Sequence, residues 1–99
     1  PIPEGVTQNN AYLPVSFDPA IFGADRDEVS DTLKTYGVFA RKYFYPLASE
    51  AACYEGRFRP EETPVALSAC KMVLTLPMYA DLALSDVDDI CEIVASCKK

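Results

Sequence analysis

The sequence predicts an α+β fold: a small, mainly antiparallel sheet with three helices packed on one face, a two-layer sandwich. Three observations carry that reading. Three segments open with helix-start chemistry, and apolar residues follow at spacings of three and four. Between them lie short apolar or aromatic stretches that end at prolines. The order is strand, helix, strand, helix, short strand, helix, all within 99 residues, the size of one domain spanning 1–99.

Residues 1–10 read as an extended lead-in, with Pro1, Pro3 and Gly5 and no periodicity. Ala11–Phe17 reads as a strand. Its Pro14 has no N–H to give to a ladder, which puts the strand at an edge or gives it a bulge. Asp18–Ala24 reads as a turn or loop. Asp25 then starts a helix as N-cap, with Glu28 three residues later to complete a capping box. Val29, Leu33 and Tyr36 form its apolar stripe, and Gly37 supplies the left-handed residue that ends it.

Val38–Tyr45 reads as the clearest strand, rich in aromatics and stopped by Pro46. Alternation along it would set Arg41, Tyr43 and Tyr45 on one face and Phe44 on the other. Ala48–Tyr54 reads as a short helical turn within an ambiguous stretch, and Gly56–Glu62 as a loop. Thr63 followed by Pro64 opens a helix that runs to about Met72 and buries Val65, Ala69 and Met72. Val73–Pro77 is a short strand, and Met78–Leu84 a connection. Ser85 caps the last helix, whose first turn holds Asp86, Asp88 and Asp89. Val87, Ile90, Cys91 and Val94 line its inner face, and Lys98 and Lys99 suit its negative end.

Composition excludes several function classes. A net charge of −6 argues against nucleic acid, whose phosphates need a basic surface. No apolar run approaches the ~18 residues of a membrane span. The first ten residues lack the basic and apolar regions of a signal peptide, so the expected setting is the cytoplasm. Cys53, Cys70, Cys91 and Cys97 show no C-x-x-C spacing and there is no histidine, so no metal site is expected. The thiols are expected reduced and mostly buried.

Without histidine there is no Ser-His-Asp or Cys-His arrangement, and the four scattered glycines make no phosphate-cradling loop. The paired acids at 25–28, 61–62 and 86–89 read as first-turn residues at helix starts rather than as an acid–base dyad. Of the lysines, Lys34, Lys98 and Lys99 read as exposed, Lys71 as snorkelling to water, and only Lys42 is flanked by aromatics. No residue is expected to be catalytic, and the chain alone does not read as a complete enzyme.

"YGVFARKYFYPL" at Tyr36–Leu47 is followed about thirty residues later by "VLTLPMYADLALSDVDDI" at Val73–Ile90. Together with "NNAYLPVSFD" at Asn9–Asp18, these segments resemble the C-terminal small domain of DegT-like sugar aminotransferases, pyridoxal-phosphate enzymes of fold type I. The resemblance covers nearly the whole chain, and three motifs in order make it specific. It implies a parent that passes an amino group, from glutamate, to a nucleotide-linked keto sugar. It also implies a homodimer, and a large domain, absent here, that carries the cofactor-bearing lysine and most phosphate contacts.

On that resemblance the chain is a piece that forms one wall of the substrate cleft, is inactive alone and is expected to bind no pyridoxal phosphate itself. Arg41, Tyr43 and Tyr45 would meet the sugar or its nucleotide diphosphate, and Phe44 and Pro46 would lie between domains. Ala48 and Ser49 stand where many relatives place a histidine. The strand's outer face would then be left bare, an aromatic patch larger than monomers usually carry. The competing reading is a free-standing α+β module that recruits a protein or a small metabolite.

Overall fold

A computed structural model describes residues 2–99. Seven elements follow in order: β1 (Leu13–Ser16), α1 (Pro19–Phe22), α2 (Arg26–Thr35), β2 (Arg41–Lys42), α3 (Pro64–Met72), β3 (Val73–Leu76) and α4 (Leu84–Ser96). Three single 3-10 turns fill the stretch between β2 and α3, at Ala48–Glu50, Ala52–Tyr54 and Pro60–Glu62. The sheet has three strands in the order β1-β3-β2, antiparallel throughout. β1 is therefore an edge, as Pro14 requires.

Register decides what each face carries. Leu74 of β3 stands between Val15 of β1 and Lys42 of β2, and Thr75 between Pro14 and Arg41. Leu74 is fully buried and joins Phe17, Ala24, Val29, Leu33 and Ile90 in the core. Val15 and Leu76 pack against it from the sheet, Val38 and Ala40 from the segment leading into β2, and Ile93, Val94 and Cys97 from α4 and its C-cap. So one face packs on α2 and α4. The other presents Pro14, Thr75 and Arg41.

The strongest local signals act as the sequence indicates. Asp25 accepts from the backbone N–H groups of Asp27 and Glu28, and Glu28 accepts from the Asp25 N–H at 3.0 Å, closing the capping box. Gly37 has φ +77°, and its N–H donates to the Lys34 carbonyl at 3.0 Å. The next residue, Val38, donates to Leu33 O and turns its side chain into the core. That exit aims the chain at β2.

Several expectations are corrected. Asp18–Ala24 is not a plain loop: Asp18 caps the four-residue α1, and Gly23, at φ +87°, ends it. The first strand is shorter than Ala11–Phe17, and the Val38–Tyr45 strand shrinks to Arg41–Lys42. Tyr43 and Phe44 form a turn, Phe44 takes φ +56°, and the Tyr45–Pro46 peptide is cis. Aromatic content argued for a long strand, but β3 is only four residues long, begins at Val73 straight after α3, and pairs with β2 only through Thr75 and Leu74.

Tyr36 falls outside the apolar stripe and is 66% exposed, because the helix ends before it reaches the core. In α3 the buried residue is Cys70, whereas Val65 is exposed. α3 runs directly into β3, and its buried residue, Cys70, lies in its last turn. Ser85 does not cap α4, which begins one residue earlier after Ala83 without a side-chain cap. Cys91 is exposed, and Ile93 and Cys97 take the inward places. The thiols are free but not mostly buried: Cys53 and Cys91 are exposed, Cys97 is half-buried and Cys70 is enclosed.

Candidate functional site

The segment from Arg41 to Pro46 leaves β2 through a tight turn, so its side chains do not alternate. Tyr43 turns toward the N-terminal arm, where its ring centroid lies 5.2 Å from that of Tyr12. Phe44 packs edge-on against Tyr43 at 4.3 Å and is otherwise exposed. The neighbouring Tyr12 hydroxyl pushes the Tyr43 phenol above its ordinary 10.0. Tyr45 goes elsewhere: its ring lies under the Arg26 guanidinium at 4.8 Å, with Lys42 Nζ at 5.9 Å. Arg41, Tyr43 and Tyr45 therefore do not share one face. Arg41 and Tyr43 stand toward the outer side, and Tyr45 toward the N-terminus of α2.

Tyr45 rests on a polar cluster that sequence reading missed. Arg26 is only 2% exposed. Its Nη1 donates to Cys70 O at 2.9 Å and to Val73 O at 3.4 Å, at the carbonyl end of α3. A cation suits that end of a helix. Arg26 Nε lies 2.6 Å from Asp27 Oδ1, although its N–H is not aimed well enough to count as a hydrogen bond. Lys42 Nζ reaches the same oxygen at 2.7 Å. The Lys42 hydrogen bond, reinforced by the Arg26 charge, holds the Asp27 carboxyl below its ordinary 3.8 despite some desolvation. Nothing in the spacing of Arg26 and Tyr45 announces this contact, which only the fold creates.

Two clefts share lining residues beside the sheet. The smaller, about 300 Å³, is lined by Tyr12, Phe39, Arg41, Thr75, Pro77 and Tyr79 among others. The larger, about 680 Å³, shares Phe39, Pro77 and Tyr79 and adds Tyr36 with the acids Asp86, Asp89 and Glu92 of α4. Phe39 and Tyr79 are 76% and 60% exposed. Phe39 precedes Arg41 by two, and period-two alternation alone would have placed the two on one side. Tyr12, Thr75 and Tyr79 come from distant segments and carry no such signal.

Among the described residues no group of histidine, cysteine, aspartate or glutamate could hold a metal ion. Among the described residues no helix is long and apolar enough to cross a membrane.

Comparison with known proteins decides the kinship. The model of the DegT/DnrJ/EryC1/StrS aminotransferase family matches residues 2–95. The chain belongs to this family. Two curated relatives carry the description dTDP-4-amino-4,6-dideoxy-D-glucose transaminase. The protein from Escherichia coli is 38% identical over 76 residues, 75% of this chain and 20% of its own length. The protein from Shigella dysenteriae is 33% identical over 96 residues, 96% of this chain and 25% of its own length. No solved structure matches. The chain thus spans about a fifth to a quarter of the length of these relatives. Within this family member the three quoted motifs fall on β1, the α2–β2 exit and β3–α4, the elements that build the sheet and its core.

Proposed function

We propose that this chain is the small domain of a pyridoxal-phosphate-dependent sugar aminotransferase, inactive by itself, whose parent moves an amino group from glutamate to a nucleotide-linked keto sugar. The observation that carries this reading is the family match across residues 2–95 of a chain that covers only a fifth to a quarter of its relatives. In this reading the relatives' remaining length corresponds to the large domain, and the parent acts as a cytoplasmic homodimer.

The shape of the molecule supports a missing partner. Its accessible surface of 7427 Å² is about a third larger than the ~5,600 Å² expected for a compact monomer of 10.9 kDa. Phe39, Phe44, Tyr45 and Tyr79 all contribute exposed ring surface. In this reading Phe44 and Pro46 pack against the large domain, and Arg41 and Tyr43 border the substrate cleft. Tyr45 is held by Arg26 and Lys42, so its part is to fix the turn that presents the other two.

When bound, pyridoxal phosphate supplies the electron sink that amino transfer needs. The residues of this chain do not fit a role in holding it. Lys34, Lys71, Lys98 and Lys99 are exposed, and Lys42 is engaged with Asp27. A lysine that joins a carbonyl needs a desolvated site, and none of the five is buried. The chain's own contribution is to shape, orient and exclude water from one side of the substrate.

The deciding experiment expresses the full reading frame that contains this segment. Purified protein is assayed for amino transfer from glutamate to a nucleotide-linked 4-keto sugar. Turnover by the full product, with none from the 99 residues alone, is the expected result. A full product with no transaminase half-reaction, or turnover by the 99-residue chain, overturns the reading.

A further inference from the structure

The larger cleft opens between α4 and the segment that leaves α2, with the core residue Ile90 in its lining. Three rings stand in it, from Tyr36, Phe39 and Tyr79, and all three are exposed. One bank is acidic. Asp86, Asp89 and Glu92 follow at intervals of three residues along α4, so they share one side of the helix. None of these carboxylates makes an ion pair among the described residues. Rings beside free carboxylates suit a planar cation. A guanidinium stacks on an aromatic face and forks carboxylate oxygens, whereas an ammonium acts only as a point charge.

The chain carries such groups on an arm that leaves its own core. Every residue from Ala52 to Arg59 is exposed. A tight turn shapes the tip: the Arg57 N–H donates to Tyr54 O at 2.9 Å, and Gly56 takes φ +76°. Arg57, Phe58 and Arg59 follow the turn. Arg57 makes no ion pair among the described residues, and Arg59 makes only an exposed one to Glu62 at 3.5 Å, which holds it weakly. Arg26, Lys34, Lys42 and Lys99 are already taken by acids of α2. No residue of the arm lines the cleft of its own chain.

Size and charge agree with a fit between the two. The Cα atoms of Arg57 and Arg59 lie at most about 7 Å apart. Asp86 to Glu92 span about 9 Å of helix, room for two guanidinium groups. Each copy carries a net −6, so two copies repel at long range and only a local match brings them together. We propose that a second copy of this chain fills the cleft: Arg57 and Arg59 of each copy enter the cleft of the other, stack on its rings and pair with Asp89 and Glu92. Reciprocal exchange closes the assembly at two copies. The proposal goes beyond the aminotransferase reading and does not rest on it.

The test is sedimentation equilibrium on the 99-residue chain, with thermal melts to confirm that each variant folds. A concentration-dependent species of twice 10.9 kDa is expected. Arg57→Glu with Arg59→Glu weakens pairing at least tenfold. So does Asp89→Lys with Glu92→Lys. That second change replaces two negative charges by two positive ones, so the net −6 becomes −2, and overall repulsion alone would make pairing stronger. Lys71→Glu, exposed on α3, leaves pairing within twofold. An equimolar mixture of the two charge-reversed proteins restores the pair, because acidic arm then meets basic cleft and basic arm meets acidic cleft. A mixture that stays monomeric, or pairing that ignores either reversal, overturns the proposal. So does a mass that keeps growing past two copies. A wild-type monomer at every concentration also overturns it, and would hand the cleft to a basic segment of another chain. Each readout is a mass, so its outcome is separate from whether the full-length protein transfers an amino group.

Discussion

Arg26 joins three parts of the chain that are far apart in sequence. It sits in the first turn of α2, donates to carbonyls of α3 and β3, and stacks over the Tyr45 ring. Arg26→Ala would leave the Cys70 and Val73 carbonyls without their donor and Tyr45 without its platform. A hydrogen bond to a buried charged group contributes about 1.5–3 kcal/mol, so a loss of that order in urea unfolding is expected. Asp27 adds a pH dependence. Its folded pKa lies below the ordinary 3.8, so around that pH the unfolded chain binds the extra proton. The stabilisation is present above pH 3.8 and is lost as pH falls through the lower, folded value. Half of the Asp27 side chain is exposed, and solvent screening keeps the amplitude small. Asp27→Asn should therefore flatten the acid limb of stability below about pH 4, measured by denaturant midpoints at stepped pH.

Elements differ in how firmly they are specified by their own residues. The start of α2 carries a complete capping box, whereas α3 starts at Thr63 with no side-chain cap bond to its own helix. Replacing an N-cap that is in use costs about 1 kcal/mol. Asp25→Ala should lower stability by about that amount, and Thr63→Ala by clearly less, with paired urea titrations as the check. Thr63 and Pro64 do mark the helix start, yet the threonine hydroxyl bonds back to Pro60 O at 3.3 Å instead of forward. The preceding 3-10 turn at Pro60–Glu62 brings that carbonyl within reach, a competition that residue type alone does not reveal. The aromatic run after β2 shows the same limit. Propensity argues for strand, but a strand needs a partner, and β3 stops at Val73 because α3 feeds straight into it.

The whole molecule has more surface than its mass requires. Its radius of gyration is 15.7 Å, against about 13 Å for a compact chain of this length. Two parts account for this: an exposed arm before β1, and the mostly exposed stretch of 3-10 turns between Ala48 and Glu62. The excess surface is about twice the ~800 Å² that one partner contributes to a standard protein–protein interface. An exposed ring patch of this kind drives association in the absence of its natural cover. The isolated chain should therefore show concentration-dependent self-association in sedimentation velocity. The double change Phe39→Ser with Phe44→Ser should restore a monomer without lowering stability, since both side chains are exposed. A monomer at every concentration would remove this support for a missing partner.

The sequence by itself determined the fold class, the edge place of β1, the cap and the end of α2, and, through three ordered motifs, the family. These are matters of local chemistry: a carboxylate three residues from its partner, a glycine at positive φ, a proline without an N–H. Each acts within a few residues, so each can be read along the chain. Arg41, Tyr43 and Tyr45 were legible as candidates, but their common face was not real. Only the tertiary structure decided that Tyr45 lies against Arg26, that Tyr12 meets Tyr43, and that Thr75 shares a cleft with Arg41. Those pairings depend on where β3 ends and how α3 enters it. That is settled by which surfaces can be buried together, and burial couples residues dozens of positions apart.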